Sequence, residues 1–322
     1  MTEIGGYFEL ELNPGNQEYH STLYRFKSGR ASLNFILHQT KPTKVYVPFY
    51  ACDALLEPFI VNNIQIQFYA VDAKLEIVCM PSIKDDELIV YVNYFDLKRD
   101  YVASLSNIYK GKLVVDCTQA YFQKGNEVSW FFNSCRKFFG VADGSDLYVP
   151  KEVNLGREYE KLLENTNFIV DHLLLRSSGQ TQHGYKHFKK NETLNNSDLL
   201  KMSKFSSTLL SQVNFKGVTN RRKLNFNFMH YALGSTNMFP VHNYAAAVPF
   251  FYPYYPNIPI QKEVFWKNNI FIPSLWSDCI NRKHKQEFDW ERTLSRDLLP
   301  LPIDHRYDAA DMERIVNCVR SY

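Results

Sequence analysis

The chain has 322 residues, of which 45% are hydrophobic and 15% aromatic, so it can bury a large core in roughly two domains. Its 37 Lys and Arg residues against 34 Asp and Glu give a net charge of +3, too small to indicate a nucleic-acid partner. No run of about 18 apolar residues indicates a membrane span, and MTEIGGYFELEL has acids where a signal peptide needs basic residues. The six cysteines are scattered without a Cys-x-x-Cys pair, which argues against structural zinc. We therefore expect a soluble, cytoplasmic protein without a membrane or nucleic-acid partner.

The first 150 residues alternate between helix-like and strand-like patterns, which is typical of a parallel α/β sheet. Ser28 opens a predicted helix that runs to about His38, and helical spacing returns between residues 52 and 62. Strands are predicted for four β-rich runs: KVYVPF (44–49), IQIQFYAVD (64–72), ELIVYVNYFD (87–96) and KLVVDCTQAYF (112–122). The segments between these runs are long enough for the crossovers that parallel strands need.

Polar residues follow two of the predicted strands at the point where each strand ends. Asn93 lies at the end of the third run, and Asp116 and Gln119 lie in the fourth. In open α/β sheets, ligands bind outside the carboxyl ends of the strands. These three residues are therefore site candidates on geometry alone.

The rest of the chain falls into two parts with different sequence patterns. Residues 152–214 are polar and mainly helical in pattern, and they include the His- and Lys-rich segment HGYKHFKKNE (183–192). Beyond about residue 220, short aromatic strands and prolines predominate, as in AAAVPFFYPYYPNIPI. We therefore predict a large domain over residues 1–215 and a smaller C-terminal α+β domain over residues 216–322.

One set of residues carries recognisable chemistry: Asp116-x-x-Gln119, Ser134-x-x-Lys137 and the Gly29-Arg30 helix start. An enzyme that uses pyridoxal phosphate (PLP) needs a lysine amine for a Schiff base, a carboxylate for the pyridine nitrogen, and helix-start amides or hydroxyls for the phosphate. The sequence contains a candidate for each role. A strand-end aspartate occurs in any α/β protein, however, so chemistry alone supports a structural role and a functional role for Asp116 equally.

Several motifs follow one another along the chain in a distinctive order: SGRASL, VPFYACDALLEPF, VNYF, VVDCTQAYF, NSCRKFFGVADG and LPLPIDHRYDAADMERIV. In this order they resemble the DegT/DnrJ/StrS family of PLP-dependent sugar aminotransferases. The likeness spans nearly the whole chain and is vague between about residues 150 and 215. It implies an α/β fold of the PLP-dependent transferase (aspartate aminotransferase-like) type. Such a fold has a large domain around a mixed, mostly parallel sheet, a small C-terminal α+β domain, and a homodimer with sites at the interface.

The resemblance also implies a role for each candidate residue. Lys137 would carry the cofactor as a Schiff base, and Asp116 would pair with the pyridine nitrogen. Gln119 would lie against the cofactor near its 3-hydroxyl group. Ser134 and the amides of the Gly29-Arg30 helix start would bind the phosphate.

Lys137 lies in an aromatic segment. Phe138 and Phe139 follow it directly, and Trp130 precedes it by seven residues. We expect these rings to shield the lysine amine from water at the place where it attacks a carbonyl group.

Three positions depart from the family pattern. Arg30 stands where the family usually has threonine, and its guanidinium would either bind phosphate, which we favour, or point away from it. Cys52 stands where the family commonly places an aromatic ring over the cofactor, and Tyr50 lies two residues earlier, so either could face the cofactor. Asn93 replaces the usual histidine of the next strand end. All four residues are cofactor-binding candidates in a divergent site.

Four further residues are candidates for contacts with the substrate or with a partner subunit. His183, Tyr185 and Lys186 lie in HGYKHFKKNE, which could bind a phosphate of a nucleotide or be only an exposed basic loop. In the family, a neighbouring subunit reaches into the site from about this part of the chain. Trp276, in FIPSLWSD, is more often a core residue than a substrate platform, although relatives place the substrate near the corresponding segment.

The resemblance implies an aminotransferase that moves an amino group from glutamate onto a nucleotide-linked keto-sugar, for surface polysaccharide or related glycan synthesis. Its substrates would be small molecules. A PLP-dependent sugar dehydratase is one alternative, but such relatives tend to replace the lysine with histidine, and Lys137 opposes this reading. A non-catalytic binding or scaffold protein that kept the fold is the other alternative, and Arg30, Cys52 and Asn93 support it.

Overall fold

The computed structural model describes residues 10, 12, 18–284 and 288–322. Its strands are β1 (Tyr24–Phe26), β2 (Lys44–Pro48), β3 (Gln65–Tyr69), β4 (Glu87–Val92), β5 (Leu113–Asp116), β6 (Trp130–Phe132), β7 (Ser145–Tyr148), β8 (Phe251–Tyr254) and β9 (Leu299–Pro302). Its α-helices are α1 (Gly29–Thr40), α2 (Asp53–Val61), α3 (Arg99–Tyr109), α4 (Cys135–Phe138), α5 (Gly156–Glu160), α6 (Asp171–Ser177), α7 (Thr181–Leu194), α8 (Lys204–Ser211), α9 (Phe215–Leu233), α10 (Lys262–Lys267), α11 (Asp278–Asn281), α12 (Asp289–Asp297) and α13 (Ala309–Arg320). None of the described helices is both long enough and apolar enough to cross a membrane.

Strands β1 to β7 form one mixed sheet in the order β1-β7-β6-β5-β4-β2-β3. Strands β3, β2, β4, β5 and β6 pair in parallel, whereas β7 runs antiparallel to both β6 and β1. Helix α2 connects β2 to β3, and α3 connects β4 to β5. The predicted α/β fold with a mixed, mostly parallel sheet is therefore confirmed.

The four predicted strands correspond to β2, β3, β4 and β5. All six residues of β4 are buried, because a central parallel strand is covered on both faces and reads as an unbroken apolar run. The sequence pattern does not predict β1, β6 or β7, since three or four residues are too few to show a period of two. The two predicted helices correspond to α1 and α2, and HGYKHFKKNE lies within α7 rather than in a loop.

A second, two-stranded sheet pairs β8 with β9 in antiparallel orientation. Helices α9 and α13 pack on it and share a separate apolar cluster with it, which includes Phe226, Leu301 and Ile315. Strand β8 confirms the expected short aromatic strands, whereas Cys279 and Leu294 pack into the core of the large sheet. The C-terminal segment thus contributes to both cores, and the division of the chain at residues 215 and 216 stays a prediction.

Candidate active site

The carboxyl ends of three neighbouring strands meet at one edge of the large sheet. The amide of Asn93, after β4, donates to the carbonyl oxygen of Asp116 at the end of β5 over 2.9 Å. The amide of Cys117 donates in turn to the carbonyl oxygen of Phe132 at the end of β6 over 2.7 Å. These bonds place the polar residues that follow the three strands side by side, where α/β proteins bind ligands.

The Asp116 carboxylate is buried and, within residues 18–284 and 288–322, has no ion-pair partner. The residue is 7% exposed, and its Oδ1 accepts a hydrogen bond from the amide of Thr118 over 2.8 Å. No salt bridge involves it within the described residues. Burial raises the pKa of Asp116 above its ordinary value, and the Thr118 hydrogen bonds and the charge of Lys137 only partly oppose this. A cationic N–H group that donates a hydrogen bond to such a buried carboxylate stabilises its ionised form.

Lys137 lies in the short helix α4, which follows β6 closely. The residue is exposed, whereas Phe138 and Phe139 turn inward into an apolar cluster. Trp130 lies at the opposite end of β6, where its Nε1 donates to the carbonyl oxygen of Gly111 over 3.0 Å. The prediction that these three rings shield the lysine from water is therefore wrong for the single chain, because two rings face the core and the third lies at the far end of the strand.

A glycine holds the lysine-bearing turn against the sheet. The amide of Cys135 donates to the carbonyl oxygen of Gly144 over 2.9 Å. Gly144 has a φ of +127°, and a Cβ there would lie 2.8 Å from Met202 and 3.0 Å from the sulfur of Cys135. The positive φ and the close side-chain contacts thus require glycine at the position that binds the start of the lysine-bearing helix.

Helix α1 begins beside this turn. Ser28 caps it by accepting a hydrogen bond from the amide of Ala31 over 3.0 Å. A Cβ on Gly29 would lie 3.2 Å from the carbonyl oxygen of Asn133, so a larger residue would push the helix away from the end of β6. Ser134 is buried next to it, and its hydroxyl makes no hydrogen bond within the described part of the chain. The free first-turn amides of α1 and this hydroxyl form a cradle that can bind an anion.

The guanidinium of Arg30 interacts with two other residues of the protein. Its guanidinium forms an ion pair with Glu57 of α2 and donates to the carbonyl oxygen of Glu192 of α7 over 3.2 Å. This arrangement leaves the backbone amide of Arg30, rather than its guanidinium, as the donor for an anion at the start of α1.

Asn93 and Gln119 hold the loop that follows β4. The Nδ2 of Asn93 donates to Asp96 over 3.2 Å, and its Oδ1 accepts from the amide of Lys98 over 3.1 Å. The Oε1 of Gln119 accepts from the amide of Phe95 over 3.0 Å. Both side chains therefore have structural roles at the edge of the sheet, and their contacts with a cofactor stay predictions.

Tyr50 and Cys52, which follow β2, differ in their surroundings. Tyr50 is fully buried, its ring meets Trp276 edge-on with centroids 4.5 Å apart, and its hydroxyl has no hydrogen-bond partner among the described residues. Cys52 is half-buried at the start of α2. Burial and then the charge of Asp116 raise the pKa of the Cys52 thiol, while Lys137 opposes them, so the thiol lies within range of both charges. Tyr50 packs with Trp276, and which of these two residues would contact a cofactor stays a prediction.

The candidates on α7 lie away from this group. His183, Tyr185 and Lys186 are exposed, and no hydrogen bond or ion pair joins them to the lysine-bearing turn within residues 18–284 and 288–322. The opposite end of α7 reaches the site instead, because Glu192 forms an ion pair with Arg136. Sequence reasoning missed Glu192, whose one signal is that it is the single acidic residue of HGYKHFKKNE.

The sequence matches no family model and no curated protein. Solved structures are similar to it. Sugar aminotransferase CalS13 from Micromonospora echinospora is 13% identical, with a TM-score of 0.63 over 92% of this chain and 86% of that chain. A DegT DnrJ EryC1 StrS aminotransferase from Brucella abortus is 11% identical, with a TM-score of 0.62 over 92% and 85%. The putative sugar aminotransferase Spr1654 from Streptococcus pneumoniae, in its PLP form, is 10% identical, with a TM-score of 0.68 over 94% and 88%. At these identities the likeness shows the fold, and it confirms the fold that the sequence motifs imply.

Neutralising Asp116 tests whether its burial costs stability. Asp116→Asn keeps an acceptor for the Thr118 amide and removes the charge, so the cofactor-free protein should gain on the order of 1 kcal/mol of unfolding free energy at neutral pH. The pKa of Asp116 in the fold lies above 3.8, so wild-type stability should fall relative to the variant as pH rises from 3.8 through the folded pKa. Urea unfolding at acidic and neutral pH measures this difference.

Asp143→Asn is the matched control. Asp143 is also buried, but its oxygens accept hydrogen bonds from Asn165 over 2.8 Å and from the amide and hydroxyl of Ser203 over 2.9 and 2.7 Å. An asparagine would set an amino group against these donors, so this control should lose stability. An Asp116→Asn protein less stable than wild type at neutral pH would contradict the account of an uncompensated carboxylate.

Proposed function

We propose that this chain is a PLP-dependent aminotransferase. The observation that carries the proposal is the buried carboxylate of Asp116, which forms no salt bridge among the described residues, at the end of β5 and next to β6, the strand that leads into the exposed Lys137 of α4. The sheet has the fold of solved aminotransferases. An amine and a carboxylate placed together in this way are the two groups that PLP chemistry requires from a protein.

The residues present fit this cofactor. Asp116 would accept a hydrogen bond from the N–H group of the protonated pyridine ring, a cationic partner that its buried carboxylate does not have among the described residues. Lys137 would bind the aldehyde carbon, and Cys52 would lie beside the ring. The Ser134 hydroxyl and the first-turn amides of α1 would hold the phosphate. When bound, PLP supplies the electron sink that amino-group transfer needs.

Each side chain then has a defined task. Once the amino donor has replaced it on the aldehyde carbon, the free amine of Lys137 would move a proton to and from the α-carbon of the donor. Asp116 keeps the proton on the pyridine nitrogen, because a buried carboxylate without another partner favours a cationic donor. Gly144 keeps the lysine-bearing turn in place, so that the amine is oriented before the substrate arrives.

We include a homodimer in the proposal. Lys137 is exposed in the single chain, whereas proton transfer at a carbon acid benefits from a site that excludes water. His183, Tyr185 and Lys186 are exposed on α7 and would meet an anionic cofactor or nucleotide across a two-fold interface. Light scattering on the purified protein should give the mass of two chains, and a monomer at assay concentration would contradict the shared site.

For the substrates we propose glutamate and a nucleotide-linked keto-sugar, used in the cytoplasm for surface polysaccharide or a related glycan. The order of the sequence motifs supports this choice, and so do the similar solved structures that are described as sugar aminotransferases. Lys137 disfavours the sugar dehydratase alternative. Release of more than one equivalent of 2-oxoglutarate per chain from glutamate should require such a keto-sugar, and continued release without a keto acceptor would contradict the assignment.

Removing the lysine tests the proposed function. Lys137→Ala should abolish the borohydride-sensitive visible absorption that added PLP gives with the wild type, and should leave the fold intact because the side chain is exposed. Absorption spectroscopy, with circular dichroism for the fold, measures both effects. Lys151→Ala, an exposed lysine outside the turn, is the control and should keep the band. A band that survives in Lys137→Ala would move the cofactor to another lysine, and a wild type that stays colourless would favour the scaffold alternative.

A further inference from the structure

Three cationic side chains surround one carboxylate beside the lysine-bearing turn. Arg136, the residue before Lys137, forms an ion pair with Glu192 at the C-terminal end of α7. Arg30 donates to the carbonyl oxygen of the same glutamate over 3.2 Å. Burial acts to raise the pKa of Glu192, but the charges of Arg136, Lys137 and Arg30 outweigh it and hold this pKa below its ordinary value. Glu192 is thus the counter-ion of the cluster.

Glu192 does not use the whole hydrogen-bonding capacity of Arg136. The Arg136 side chain is only 10% exposed, and its Nε is buried without a hydrogen-bond partner among the described residues. A buried N–H group costs free energy unless an acceptor reaches it. The cluster therefore has donor capacity for an anion with more acceptor atoms than one carboxylate.

Arg136 lies close to the anion cradle at the start of α1. It follows Ser134 by two residues and shares Glu192 with Arg30, whose amide belongs to the first turn of that helix. A phosphate group carries nearly two negative charges and three strong acceptor oxygens, more than a carboxylate offers. A guanidinium binds such a group with two parallel hydrogen bonds.

We propose that Arg136 is a phosphate-binding residue of this site, and that Glu192 is an internal carboxylate that occupies Arg136 until a phosphate-bearing ligand replaces it. The inference rests on the proposed function for the identity of that ligand, which is the cofactor or the nucleotide-linked substrate. The competition itself involves only Arg136, Glu192 and a phosphate group.

A change of the Glu192 rotamer is sufficient for this exchange. Asn191 and Asn195, on either side of it, donate to the carbonyl oxygen of Ala142 over 2.7 and 3.1 Å and so fix this end of α7. The Glu192 side chain is 30% exposed, so the carboxylate can turn toward solvent while the helix stays in place. In solvent it regains hydration, which offsets part of the lost ion pair.

Calorimetric titration of inorganic phosphate into the full chain tests the competition directly. Glu192→Gln keeps the shape of the side chain and removes its charge, so phosphate should bind about tenfold more tightly than to wild type. Arg136→Gln should weaken binding at least about tenfold, and should abolish the gain when it is combined with Glu192→Gln, because both changes act on one contact. Glu313→Gln, at an exposed position of α13, is the control for the loss of one negative charge and should leave phosphate affinity unchanged.

Wild-type phosphate affinity in a folded Glu192→Gln protein would overturn the proposal, and so would a gain that persists without Arg136. If Glu192→Gln does not fold, Glu192→Asp replaces it as the test. The shorter side chain holds Arg136 less well and should give a smaller gain in phosphate affinity. The absence of any gain in that variant would equally overturn the proposal.

Two further titrations separate the sources of the phosphate. If the ligand is the cofactor, Glu192→Gln should tighten the binding of PLP but not of pyridoxal, which lacks the phosphate. If the ligand is the substrate, the same variant should tighten uridine diphosphate binding to protein already saturated with PLP. If neither response is observed, the proposal is overturned. The gain in affinity for inorganic phosphate that Glu192→Gln gives should persist when Lys137→Ala is added. The test of this inference is therefore independent of the test of the proposed chemistry at Lys137.

Discussion

The burial of one carboxylate, Asp116, is the constraint on which this site depends. The parallel ladders of β5 with β4 and β6 fix the residue at the carboxyl edge of the sheet, and Thr118 is its hydrogen-bond donor. An unpaired carboxylate at such a position lowers stability, and proteins keep groups of this kind mainly where function needs them. Because no salt bridge involves Asp116 among the described residues, we propose a cationic ligand as its partner.

The other charges near the site are compensated inside the chain. Arg30 pairs with Glu57 and ties α1 to α2, whereas Arg136 pairs with Glu192 and ties α4 to α7. These pairs give each partly buried guanidinium a counter-charge. Because of these pairs, an anionic ligand has to compete with Glu57 or Glu192 for the guanidinium groups. Among the described residues, Asp116 and Lys137 form no such pair.

Much of the fold could be predicted from the sequence, because central parallel strands leave unbroken apolar runs such as that of β4. Strand β6 could not be predicted, because three consecutive aromatic residues show no periodicity. Without this strand, the sequence suggests that Trp130 lies near Lys137, whereas the strand separates the two residues. Motif order predicts Asp116 and Lys137 as site residues, and the structure places Asp116 at the end of β5 and Lys137 in the helix after β6. It could not locate Glu192, because 56 residues separate it from Arg136 and their contact depends on how α7 packs.

The central claim is that α4 presents the cofactor-binding lysine beside Asp116. The most direct measurement is borohydride reduction of the protein incubated with PLP, followed by proteolysis and mass spectrometry of the modified peptide. The account predicts one reduced cofactor adduct per chain, on Lys137, in the peptide that follows β6. Stoichiometric modification of a different lysine, or weak labelling spread over many exposed lysines, would contradict it.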